Sequence, residues 1–144
     1  MTRRTSTLIA LCVFAVIIAG WLVTRTTAPP SSSPDATTTS AGVPTCPLST
    51  LPPEVADTVD AIATNGPFPF PRNDGVVFGN REGHLPAEER GYYHEYTVPT
   101  PGASNRSTRR VVTGGLPLTD PAEYFYTGDH YDSFCLVSGI EGQS

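Results

Sequence analysis

Five side chains in this 144-residue sequence carry groups that chemistry could use together: Glu82, Glu95, Arg106, Arg110 and His130. A carboxylate and an imidazole are the parts of a general base and a general acid. Free values of about 4 for Glu and about 6.5 for His allow opposite protonation states in mildly acid to neutral water. Two arginines beside them would hold an anion as charge develops in a transition state. This set fits phosphoryl transfer on RNA, which carries its own nucleophile in the 2′-hydroxyl. A base removes that proton, the oxygen attacks the adjacent phosphorus, and an acid protonates the leaving 5′-oxygen. Any domain of this size contains some Glu, His and Arg, so the weight falls on arrangement. His84, His94 and His130 are far apart, so no metal site and no cofactor are expected. Neither a serine nucleophile elbow nor a phosphate-cradling glycine loop followed by Lys is present.

These residues need elements to place them. GYYHEYTV (91–98) reads as a β-strand, because Tyr and Val favour strands and neighbouring side chains alternate between faces. Glu95 then shares a face with Tyr93 and Thr97, and His94 goes with Tyr92, Tyr96 and Val98. Arg106 and Arg110 flank a turn that enters the next strand, close to Glu95, and would hold it ionised. Further strands are expected at 75–79, 109–113, 123–127 and 131–137, separated by stretches rich in Gly, Pro and Asn. A helix is expected within 49–66, where Val55, Val59 and Ile62 make an apolar stripe and Pro52 and Pro53 suit the first turn. One early helix followed by strands on short loops predicts an α+β fold, the helix packed on an antiparallel sheet.

The apolar run from Leu8 to Val23 follows Arg3 and Arg4, so residues 1–25 read as a membrane anchor or a cleaved signal peptide. Either way the remainder is exported, secreted or tethered to the outer face of the membrane. Residues 26–45 are Ser, Thr, Pro and Ala with one acid, a composition that predicts a flexible stalk. The folded domain is then 46–144, expected to be monomeric. Cys46 and Cys135 stand at its two ends, and in an oxidising compartment they should pair. Lysine is absent and the net charge is −5, which argues against tracking a long duplex. Yet Arg106, Arg109 and Arg110 fall close together, a local cationic site suited to one or two phosphates.

The domain resembles the small secreted guanyl-specific ribonucleases of bacteria, relatives of barnase. The likeness runs from Leu51 to Phe134. It rests on LPPE, NGPFPF, DGVVFGNRE, GYYHEYTV, TPG followed by RSTRR, and FYTGDHY, in the family's order and roughly its spacing. The resemblance implies the microbial ribonuclease fold and cleavage of single-stranded RNA after guanosine, through a 2′,3′-cyclic phosphate. It implies Glu95 as general base and His130 as general acid. Arg106 and Arg110 would bind the phosphate, and Tyr131 would add a phenolic hydrogen bond. FGNRE would form the guanine pocket: Phe78 stacks, the N–H groups of Asn80 and Arg81 donate to O6, and Glu82 accepts from N1–H and the amine. Adenine lacks both the O6 acceptor and the N1 donor. A cytoplasmic inhibitor of the barstar type is the implied partner. The chain departs from the family pattern at Gly79, where a larger side chain is expected, so the cover over the base would be thinner. Cys46 lies one residue further from LPPE than expected, and Cys135 comes soon after DHY.

Blander roles compete. His94 reads as a structural, hydrogen-bonded histidine, His84 as a solvated loop residue, Arg109 as a surface or salt-bridge arginine, and Asp129 as a turn former. The rival functions are a surface nucleotide- or RNA-binding module that lost activity, and a membrane-anchored structural protein.

Overall fold

The computed structural model describes residues 42–141. The expected anchor (1–25) and most of the expected stalk lie outside the described residues. Among the described residues, no helix is long and apolar enough to cross a membrane.

Helix α1 spans Pro53–Ala63. It starts four residues later than the sequence suggests, because a residue that precedes proline is pushed out of the helical region. Leu51 and Pro52 both precede prolines and both are extended, with ψ 164° and 140°. Leu48–Thr50 instead form a separate 3₁₀ turn. Asn65 and Gly66 take positive φ and end the helix, with Gly66 N–H donating to Ala61 O at 2.7 Å. Val55, Val59 and Ile62 form the buried stripe.

Six strands make one sheet: β1 (Thr45–Pro47), β2 (Val76–Val77), β3 (Tyr93–Thr97), β4 (Arg110–Gly114), β5 (Glu123–Thr127) and β6 (Cys135–Ser138). Their order is β1-β6-β5-β4-β3-β2. All pairs are antiparallel except β1 with β6, so the sheet is mixed. The parallel edge was not foreseen because β1 straddles the boundary expected between stalk and domain, with Thr45 on the stalk side. Val43, the one branched aliphatic of that stretch, is buried, and Pro44 O accepts from Leu136 N–H at 2.8 Å. The folded unit therefore begins before Cys46. A Cys46–Cys135 disulfide joins β1 to β6.

The sheet buries both faces. Tyr96, Val98, Val111, Tyr124 and Val137 pack against the α1 stripe. On the opposite face Tyr93, Val112 and Phe125 pack with Val43, Leu85 and Phe134. Each fully buried Val, Ile or Phe contributes roughly 1.5–3 kcal/mol by leaving water. Glu95 pairs with Val112 in the register, which puts it on the face away from the helix. Tyr92 departs from the expected alternation. It precedes β3, joins the Val112 side, and its hydroxyl donates to Glu123 Oε2 at 3.2 Å.

Candidate active site

Glu95 stands mid-strand on β3, half-buried. Its Oε2 accepts a short hydrogen bond from the Tyr131 hydroxyl, and its Oε1 lies 3.4 Å from Arg106 Nη2. Tyr131 therefore meets the carboxylate directly. Burial first, then the Glu95 hydrogen bond and charge, pushes the phenol up to about 12, so it stays a donor at neutral pH.

Arg106 sits in the β3–β4 loop. Its Nε donates to Thr97 Oγ1 at 2.9 Å, and Nη2 lies 3.8 Å from Asp74 Oδ1. Arg110, the first residue of β4, is only 2% exposed. Its Nη1 donates to Arg109 O at 2.7 Å and Arg106 O at 3.1 Å, and its Cζ lies 6.0 Å from the centre of the Tyr131 ring. Its buried Nε has no hydrogen-bond partner among the described residues. Both arginines thus reach the carboxylate's neighbourhood, Arg106 on Glu95 and Arg110 on Tyr131.

His130 and Tyr131 do not belong to a strand, contrary to the expected 131–137. Both take left-handed backbone, φ 64° and 79°, and β6 starts at Cys135. The loop is held by its own polar residues. Thr127 Oγ1 donates to Asp129 Oδ1 at 2.8 Å and accepts from Tyr131 N–H at 3.0 Å. Asp129 also accepts from Ser133 N–H and Oγ–H, which hold its carboxyl down at about 2. Asp129 thus shapes the turn, as expected. The loop is also tied to the arginine loop, since His130 N–H donates to Thr108 O at 3.2 Å and Thr108 Oγ1 to Gly128 O at 2.8 Å. The exposed His130 imidazole lies 4.8 Å from the Tyr131 ring, centre to centre. One tyrosine touches both the carboxylate and the imidazole.

Phe78 links this cluster to a second one. It stacks on Tyr131 at 5.0 Å and meets Phe134 edge-on at 5.9 Å. Beyond it opens a cleft of about 700 Å³, lined by Phe78, Asn80, Arg81, Glu82, Glu88 and Arg90 among others. Asn80 has φ 41°, and its side chain pins the loop through Leu85 O (2.9 Å), Leu85 N–H (3.1 Å) and Pro86 O (3.2 Å). The main-chain N–H groups of Asn80 and Arg81 donate to no acceptor among the described residues, and the exposed Glu82 carboxylate pairs with none of them. A methyl added at Gly79 would touch Arg81 Cγ at 3.7 Å and Nε at 3.8 Å. The Arg81 stem therefore lies beside the space that a larger residue at 79 would enter.

Two expectations for bystanders divide. Arg109 Nη1 lies 3.5 Å from Glu54 Oε2, tying the residue before β4 to α1 as a salt-bridge arginine. His94 is structural, but its buried Nδ1 has no hydrogen-bond partner among the described residues, and burial lowers its pKa. Sequence reasoning missed Asp74, which looked like part of a turn. Its side chain is fully buried and binds Phe70 N–H (3.0 Å), Thr97 N–H (2.7 Å) and Thr97 Oγ1 (2.6 Å).

A family model for ribonuclease matches residues 33–138. This chain belongs to the microbial guanyl-specific ribonuclease family. Guanyl-specific ribonuclease Sa of Kitasatospora aureofaciens is 57% identical over 90 residues, 62% of this chain and 88% of the relative. Guanyl-specific ribonuclease St of Saccharopolyspora erythraea is 54% identical over 90 residues, 62% and 83% of the two chains. Solved structures of ribonuclease Sa2 share the fold. A complex with mononucleotides superposes with TM-score 0.61 at 45% identity, covering 67% of this chain and 95% of that one. A complex with guanosine-2′-cyclophosphate has TM-score 0.59 at 46% identity, covering 67% and 96%. The ribonuclease family and the helix-on-sheet fold expected from the six motifs are both correct.

Proposed function

We propose that this chain is an exported endoribonuclease that cuts single-stranded RNA on the 3′ side of guanosine. The observation that carries this reading is Tyr131, which hydrogen-bonds Glu95 while its ring lies against His130 and near Arg110. Glu95 takes the 2′-hydroxyl proton, and the oxygen attacks phosphorus to give a 2′,3′-cyclic phosphate. His130 protonates the leaving 5′-oxygen, then serves as base when water opens the ring. Arg106 and Arg110 hold the phosphate oxygens, and Tyr131 adds a hydroxyl donor. Guanine enters the cleft beside Phe78, where the N–H groups of Asn80 and Arg81 and the carboxylate of Glu82 await complementary groups. The acid–base pair accounts for about a hundredfold to ten-thousandfold per group.

The apolar run at 8–23 and the disulfide support an extracellular location, secreted or tethered. The domain works as a monomer. An exported ribonuclease of this family implies a barstar-type inhibitor in the producing cell's cytoplasm.

The test is turnover of GpC and ApC by the full chain in EDTA. Cleavage of GpC well ahead of ApC is expected, with Glu95→Gln and His130→Ala each slower by at least about a hundredfold. Near-normal rates in either variant would refute the roles. Binding of guanosine 3′-monophosphate without turnover would instead mark an inactive binding module.

A further inference from the structure

Arg106 is gripped from behind by two buried residues to which the proposed mechanism gives no role. Thr97, 1% exposed, uses its hydroxyl twice: it donates to Asp74 Oδ1 at 2.6 Å and accepts from Arg106 Nε at 2.9 Å. The direction is forced. A hydroxyl has one proton, and Asp74, as a carboxylate, can only accept it. The remaining lone pairs of Thr97 must then face a donor, and Arg106 Nε–H is that donor. Asp74 is itself locked, because Phe70 N–H binds Oδ2 and Thr97 N–H binds Oδ1. Those two backbone bonds give each carboxylate oxygen one donor. The outward reach through Thr97 to a partly exposed guanidinium is additional.

That reach settles how Arg106 lies. Its Nη2 stands between two carboxylates, 3.4 Å from Glu95 Oε1 and 3.8 Å from Asp74 Oδ1. Without the Thr97 bond, the 3.8 Å ion pair with Asp74 would be left to oppose a swing of the guanidinium toward a closer pairing with Glu95, which would occupy both the base and the anion-holding group. With Nε fixed, no acceptor among the described residues takes Nη1, and that edge stays available.

We infer that Thr97 and Asp74 are positioning residues: they hold Arg106 in the orientation that receives the substrate phosphate and keep it from closing on Glu95. This rests on the ribonuclease reading above. Both act through Arg106 and touch no reacting atom.

The test compares binding of guanosine and guanosine 3′-monophosphate to the full chain, since the two ligands differ only by the phosphate. Thr97→Val should leave guanosine affinity unchanged and weaken guanosine 3′-monophosphate by about tenfold, the scale of one charge-assisted hydrogen bond. Thr97→Ser, which keeps the hydroxyl, should restore it. In an Arg106→Ala background, Thr97→Val should have no further effect on phosphate binding. Thr97→Ala run through the same cycle decides the matter if Thr97→Val does not fold. Wild-type affinity for the monophosphate in a folded hydroxyl-less variant, or an equal loss with and without Arg106, would overturn the proposal. Failure of the ribonuclease reading appears elsewhere, as wild-type protein that neither binds guanosine nor cleaves GpC.

Discussion

Glu82 and Asn80 are two residues apart and are used in opposite ways. Asn80 spends its side chain on Leu85 and Pro86, so it shapes the loop and leaves only its backbone for a ligand. Glu82 is exposed and has no partner among the described residues, so its carboxylate is left open for the proposed guanine contact. Glu82→Ala should therefore narrow the ratio of GpC to ApC cleavage by roughly 10- to 100-fold, the worth of hydrogen bonds to a charged group. Dinucleotide kinetics check this, and an unchanged ratio would place base choice elsewhere. At this scale the motifs picked out Glu95, Arg106, Arg110 and His130, and the fold brings them around Tyr131. Asp74 was not picked out, because NDG looks like any turn. Only the fold brings it to Thr97, 23 positions along the chain.

Strand parity was the strongest element-level signal. Alternation along GYYHEYTV put Glu95 with Tyr93 and Thr97, and the register agrees. It failed at Tyr92, because Gly91 with φ 94° turns the chain before pairing begins. It failed again after Thr127, where a hydrogen-bonded loop replaces the first half of an expected strand. Loops built on side-chain-to-backbone bonds leave no periodic trace. The edge strand β1 was hidden for another reason: three residues of Thr, Cys and Pro carry no alternation, and pairing with β6 alone makes them a strand. Cys46 and Cys135 fasten that edge across 89 positions. Replacing both with Ser should cost about 4–5 kcal/mol by the loop-entropy model. Urea unfolding of the two proteins, compared by midpoint at equal slope, measures it.

Taken whole, the molecule is acidic, with a net charge of −5, yet three of its six described arginines, 106, 109 and 110, gather on one loop and strand. Its response to pH is set at both ends of the scale. Tyr131 sits near 12 against an ordinary value of 10.0, and Tyr92, Tyr93, Tyr96, Tyr124 and Tyr126 are raised as well, each chiefly by burial. A group raised in the folded state stabilises fully below its unfolded value and loses that contribution as pH climbs to the folded one. Stability should therefore fall steeply between pH 10.0 and about 12. Asp129 is the reverse case, lowered from 3.8 to about 2 by Ser133 and Thr127. Its contribution is present above 3.8 and fades as pH drops toward 2. Thermal melts across the pH range test both, and Asp129→Ala should lower stability above pH 3.8 and flatten the fall between 3.8 and about 2.

The two consecutive left-handed residues at His130 and Tyr131 set a strained corner beside the carboxylate. Residues with a Cβ give up roughly 1–2 kcal/mol each in that conformation, and glycine gives up none of it. His130→Gly would relieve that strain while removing the imidazole. With His130 as the proposed acid, the relief comes with a loss of turnover.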